Sequence, residues 1–443
     1  MPSNASSRTR NRAALRHAAL LSLLCLPAAV TAQEEGPSAP AASGPDVTVF
    51  AFPSLGSYGN ADGYASFSVG TTSCNRGSTP LNWCNQSSGC AAGAAPTDHP
   101  VIAQNIYRLK DGRLNQIGMS WLKHGFVSLN NTTGGCTGAA GQSCVSPPAG
   151  GRQLGVGCSD PYSSSLNGGR PLGRRSEVDA STGEFPFPPN SPGGPYTVYD
   201  QRAKVATSDL EAAQNPGALY YAEAQYIAPD DAVAGNGLNN ASYQRVTVGS
   251  APNYTISATG SFFEMSSAIE AWAAQDALVE RVNADVPTSS PIQRFQVARK
   301  VTNPTPGVWH FEYAIRNHNS DRSAQAFAID FPDGTSLTNT GFSDIESHSG
   351  EPYSTTDWTI DVDAPTSVVS WSAETFATNA NANALRWATM YNFWFDADSP
   401  SAGSHTLTLF KPGSPTAIVF TFGNIFADGF ESNGTTAWSV TVP

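Results

Sequence analysis

The stretch Trp309-His-Phe-Glu-Tyr-Ala-Ile-Arg316, WHFEYAIR, places a large apolar residue at every second position. Side chains on a β-strand point alternately to opposite faces, so Trp309, Phe311, Tyr313 and Ile315 share one face. A helix would spread these four around its circumference. His310 falls on the other face and points at solvent or a neighbouring surface. Phe327, Ile329 and Phe331 repeat the pattern, as do Val369 and Trp371, Phe393 and Phe395, and Leu407 and Leu409. Strands separated by turns, with almost no helix, predict a β-sandwich of Ig-like or jelly-roll type over residues 292–422.

Upstream, strand-like material starts at Asp46-Val-Thr-Val-Phe-Ala-Phe52 and continues through residues 196–262. ALYYAEAQYIAPDDA reads as a strand running into an acidic turn, and ASYQRVTV and NYTISATGSFF read as further strands. One helix is signalled. Ser267 and Glu270 form a capping box, and Ile269, Trp272, Val279 and Val282 give a partial apolar stripe up to about Asn283. The Pro- and Ser-containing stretch 286–291 marks the domain boundary. The expected fold is therefore all-β, with two β-sandwich domains: 46–285, disulfide-stapled with one helix near its end, and 292–422.

The N-terminus reads as an export signal. Arg8, Arg10, Arg12 and Arg16 precede an apolar run from Ala18 to Val30, and Val30-Thr31-Ala32 is a small-residue cleavage site. The Leu24 before Cys25 is not the small residue a lipoprotein site wants. Residues 33–45 read as a disordered spacer, and no later apolar run is long enough to span a bilayer. Residues 1–32 hold four Arg and no acidic residue, so the mature chain has 20 basic against 36 acidic side chains, a net charge of −16. That balance argues against nucleic acid and anionic membranes as partners. Six cysteines remain after cleavage, Cys74, Cys84, Cys90, Cys136, Cys144 and Cys158. An even set in an oxidising compartment predicts three disulfides, with 15 pairings open. The close CxxC or CxH spacing of a zinc site is absent.

DHPVIAQNIYRLKDGRLNQIGMSWLKHGF, GVGCSDPYSSSLNGG, RRSEVDASTGEFPF, DDAVAGNGLNNASYQRV, HSGEPYSTTDW and NANALRWATMYNFWFDADSP together span most of the mature chain. On these stretches the chain resembles a group of secreted bacterial proteins with no established activity. Its ending, FADGFES…TAWS within 423–443, is similar to short C-terminal segments appended to many exported bacterial proteins. That resemblance implies a role in export or surface retention; the competing reading is a last sandwich strand.

No G-x-S-x-G elbow, H-E-x-x-H, P-loop, GxGxxG, EF-hand loop or C-x-x-C-H is present. Ser120-Trp-Leu-Lys123 matches S-x-x-K, but its surroundings are strand-like. The N-terminal histidines carry more. The Asp111-Gly112 turn places His99 roughly opposite Lys123 and His124 on a hairpin. Asp98, His99 and His124 are then candidate ligands for copper or zinc, and His124, Lys123 and Asp160 candidate catalytic groups. The bland alternative is a polar hairpin end. By twos, Lys123 shares a face with Ile117, Met119 and Trp121, and His124 lies on the other, so a continuous strand separates them. Lys123 then reads as a residue near a sheet end whose ammonium reaches water. Asp230 and Asp231, with Asn236, Asn239 and Asn240, form an oxygen-rich loop suited to Ca²⁺. Arg174 and Arg175 beside Glu177 suggest a salt-bridged corner. Most Tyr and Trp residues read as core, and Tyr353 and Trp358, in HSGEPYSTTDW, are the ones expected in a loop open to a ligand.

Two functions compete on these grounds. One is a secreted, non-enzymatic surface or extracellular protein binding a polymer such as a glycan. The other is a secreted metal-dependent enzyme, oxidative or hydrolytic, built on His99 and His124.

Overall fold

The structure, a computed structural model, describes residues 43–84, 89–132, 134–191, 193–287 and 289–422. The expected export signal, residues 33–42 of the expected spacer and the 423–443 ending lie outside the described residues. The fold is all-β with three short α-helices among the described residues.

In the second block, two five-stranded antiparallel sheets face each other. One runs in the order Val279–Asp285, Arg294–Thr305, Val308–Asn317, Met390–Ala397, Leu337–Ser343. The other runs Thr359–Asp363, Val368–Ser372, Ala324–Asp330, His405–Leu409, Ala417–Phe420. The alternation has its expected result: Phe311, Tyr313 and Ile315 meet Phe327, Ile329, Trp371 and Leu407 in one core. Each fully buried aromatic or aliphatic side chain here contributes about 1.5–3 kcal/mol.

In the first block, a nine-stranded sheet covers a three-stranded one. The large sheet runs Ile256–Phe263, Ala241–Val248, Leu219–Ile227, Val101–Lys110, Arg113–Met119, Ala203–Ala206, Tyr64–Val69, Leu55–Ala61, with Lys123–His124 also on Val101–Lys110. The small sheet is Val47–Ala51, Thr71–Asn75 and Ser159–Tyr162. Val47, Val49, Phe67, Ile102, Ile106, Ala224 and Tyr226 form their shared core. Three disulfides staple this block: Cys74–Cys136, Cys84–Cys90 and Cys144–Cys158.

The polar face of WHFEYAIR is buried at Glu312, Ala314 and Arg316, with His310 half-buried at its start. It packs on the nine-stranded sheet, where Tyr107, Leu114, Tyr221 and Trp272 join Ala298, Ala314 and Met390 in a further core. Arg316 Nη2 pairs with Glu223 Oε1 at 3.0 Å, both side chains fully buried. Arg113 bonds the Glu312 carboxylate with two nitrogens, 2.6 and 2.7 Å, and lies 3.6 Å over the Trp394 ring.

Two expectations change. The helix covers only Glu270–Gln275, with Ile269 at its N-cap, while the Ser267 hydroxyl donates to Gln296 instead. Asp276 is extended, at φ −142°, and the apolar residues beyond it form the strand Val279–Asp285. That strand pairs with Arg294–Thr305, so the 286–291 stretch is a hairpin connection within the second block's sheet.

His310 is half-buried at the start of this face, 2.7 Å from Asp396 and 3.6 Å from Glu312. Glu312 first, then Asp396, raise its pKa. The folded state thus holds a proton that the unfolded chain releases above about 6.5. This stabilisation is complete below that pH and is lost as pH rises through the folded value. His310→Gln is therefore expected to destabilise at pH 6 more than at pH 8.5, read as urea midpoints; an equal loss at both would contradict it.

Candidate functional site

The Asp111-Gly112 turn, with both residues at positive φ, pairs Lys110 with Arg113 and returns the chain along Val101–Lys110. The strand breaks at Ser120–Leu122 and resumes at Lys123–His124, paired to Ile102 and Val101. This brings His99 Nε2 to 2.9 Å from His124 Nδ1.

Three of the four ring nitrogens are hydrogen-bonded. His99 Nδ1 donates to the Pro96 carbonyl at 2.9 Å, which leaves its Nε2 bare to accept from His124 Nδ1–H. His124 Nε2 faces the Gly173 backbone so closely that a Cβ there would stand 2.4 Å away. Phe185 and Phe187 pack their rings against both imidazoles. Burial lowers the pKa of His99 to about 4 and of His124 to about 3. The two rings are hydrogen-bonded to each other. Asp98 turns aside to accept from the Ala95 amide. No group of three His, Cys, Asp or Glu suited to a metal occurs among the described residues.

Lys123 does not reach water as a sheet-end lysine would. It is 9% exposed, its Nζ bonds the His124 carbonyl, and it lies over the Phe126 and Tyr162 rings at 4.3 and 4.9 Å. Burial brings its pKa down to about 7, against the pull of Asp160. Burial pushes Asp160 up to about 7, while Oδ1 accepts from the Leu129 amide at 2.8 Å. Their matched proton affinities are a signature shared by acid–base sites and by buried structural pairs. Ser120 makes no S-x-x-K site: its hydroxyl donates to the Trp121 carbonyl and accepts from the Gln104 amide.

The other candidates separate. Asp230 accepts from the Asn82 amide and Asp231 from the Val47 amide and the Asn240 side chain, so the acidic loop anchors the first strand. Trp358 is not open to a ligand: it is 3% exposed, stacks on Phe342 and donates to the Asn383 carbonyl. Tyr353 is half-buried with the Arg386 guanidinium 4.0 Å over its ring. Arg175 leaves the expected corner and runs inward to the Ser120 and Gln104 carbonyls and Asn105.

A cleft of about 780 Å³ opens beside the histidines, on the outer side of Phe185. Asp98, Glu177, Asp179 and Glu184 line it with the hydroxyls of Thr97, Ser176 and Thr182. Phe185, Pro186 and Pro229 supply apolar faces. His99, His124, Lys123 and Asp160 are not among its lining residues. Only Asp98 of the sequence candidates reaches it; the rest of the wall comes from separate loops with no local motif.

No protein-family model matches the chain, and no curated protein sequence matches it.

The closed packing gives a direct prediction. Gly173→Ala is expected to displace the His124 ring, break the imidazole pair and cost about 1–3 kcal/mol by overpacking. In the unmodified protein, imidazole NMR signals of His99 and His124 should show no titration midpoint between pH 8 and 5. A midpoint near 6.5 would show that the rings are hydrated and open.

Proposed function

We propose that the protein is an exported, non-enzymatic binding protein whose cleft holds a polymer, with a neutral glycan as the ligand class. The observation that carries this reading is the cleft's lining. Five carboxylates, of which Asp321 is paired with Lys411 on the same wall, and three hydroxyls offer hydrogen-bond partners for sugar hydroxyls, and Phe185 and the prolines offer flat apolar faces. His99 and His124 bond each other, Lys123 lies over the Tyr162 ring, and neither they nor Asp160 line the cleft.

Export is supported by the arginine-led apolar segment at the N-terminus and by the three disulfides. Among the described residues no helix is long and apolar enough to cross a membrane. The resemblance of the FADGFES-type ending supports a role for residues 423–443 in export or surface retention.

Calorimetric titration of the mature protein against soluble polysaccharides tests the ligand class. Glu184 is exposed on the cleft wall, and Glu184→Gln is expected to weaken glycan binding roughly tenfold, about 1.4 kcal/mol, without loss of stability. Binding of basic peptides with no response to any glycan would overturn the ligand class.

A further inference from the structure

We propose that a second pocket, between the nine-stranded sheet and the segment 344–348, binds one free basic amino acid. Lys204 takes its carboxylate, and Asp344 and Glu346 take its two cationic groups. The pocket shares no residue with the cleft, and the proposal does not rest on the glycan reading.

The strands Arg113–Met119 and Ala203–Ala206 pair in the nine-stranded sheet and bring Ile117, Met119 and Lys204 to the pocket wall. The strand Leu337–Ser343 of the second block ends just before Asp344, and the chain then runs along the pocket through Glu346 to His348. The pocket holds about 250 Å³. Pockets for drug-sized ligands hold about 300–1,000 Å³, so this one suits a smaller molecule.

Its charges define that molecule. Asp209 is already paired with Arg108 at 2.7 Å, and His348 Nε2 bonds the Arg202 carbonyl at 2.7 Å. Among the described residues no ion pair involves Lys204, Asp344 or Glu346. Lys204 Nζ lies 3.8 Å over the Tyr64 ring. Asp344 accepts from the neutral Asn383 amide at 2.5 Å. Burial raises the Asp344 pKa to about 6, and the Asp357 and Glu346 carboxylates add to the rise. A cation beside it favours the ionised form. The unmatched set is one ammonium and two carboxylates. Its complement carries one carboxylate and two cations, each placed for a charge-assisted hydrogen bond. Lysine and arginine have that composition at this size, and Ile117 and Met119 give their methylene chains an apolar surface. A diamine would leave Lys204 unmatched, and a neutral amino acid would leave one carboxylate unmatched.

Calorimetric titration of the mature full-length protein with L-lysine and L-arginine tests this. Binding is expected with a Kd of about 10⁻⁴ M. Cadaverine, which is lysine without its carboxylate, and L-leucine, which lacks the second cation, are each expected to bind about tenfold more weakly. Lys204→Met is expected to weaken lysine binding about tenfold and to remove the preference for lysine over cadaverine. Glu346 is exposed, so Glu346→Gln keeps the fold; it is expected to weaken lysine about tenfold and leave leucine unchanged. No binding heat with either basic amino acid up to about 10 mM would overturn the proposal. So would leucine binding as tightly as lysine, or an unchanged lysine affinity in Glu346→Gln. A preference for lysine over cadaverine that survives in a folded Lys204→Met protein would overturn it as well.

Discussion

Replacing Arg316 with methionine is expected to destabilise the protein by about 3–5 kcal/mol. Arg316 and Glu223 are both fully buried where the nine-stranded sheet meets the five-stranded sheet. Arg316 also bonds Gln225 at 2.7 Å and His318 Nδ1 at 2.9 Å. Glu223 accepts from Asn105 and Tyr107 as well, and from the Ala268 amide. Removing the guanidinium strands an ionised carboxylate in a dry interface, and that desolvation is the source of the loss. Methionine approximates the volume, so a cavity contributes little. The double variant Glu223→Leu/Arg316→Met should recover only part of the stability, because Asn105, Tyr107 and the Ala268 amide then lose their acceptor. Urea midpoints of the three proteins check this. A loss under 1 kcal/mol in the single variant would mean that water reaches the interface.

Replacing Cys74 and Cys136 by alanine is expected to cost about 2–5 kcal/mol. The bridge joins residues 62 apart, and closing so long a loop removes much of the unfolded chain's freedom. Cys74 lies in the central strand of the three-stranded sheet, while Cys136 lies in the Gly-rich stretch that the bridge ties down. Opening Cys84–Cys90, whose partners are 6 apart, should cost less on the same argument. Denaturation with and without reductant gives the order, and a larger loss from the short bridge would contradict the loop-entropy account.

Much of the fold was legible because alternation is a local property. Phe311, Tyr313 and Ile315 declare their shared face within seven residues. The approach of His99 to His124 followed from one Asp-Gly turn and a count along two strands. What failed depends on distant partners. Arg316 looks like an ordinary strand-end arginine, and its carboxylate partner is 93 residues away in sequence. Trp358 follows polar Thr-Thr-Asp and reads as a loop residue, but it immediately precedes the strand Thr359–Asp363 and its ring turns into the core. Val279 and Val282 fit a helical stripe as well as a strand, and pairing with Arg294–Thr305 decides between them. The disulfide pairings depend on how the connecting loops fold, which no spacing encodes. The cleft was not legible at all, because Asp98, Glu177 and Glu184 are brought together only by folded loops.

We propose that this chain binds a polymer in its cleft and that Lys123, His124 and Asp160 serve the fold. Incubation of the mature protein with each polysaccharide it binds, followed by assay for new reducing ends and oxidised products, tests it most directly. The account predicts retained binding with no product above the level of a Lys123→Met control. Product formation that Lys123→Met abolishes, in a protein that still folds and binds, would contradict it.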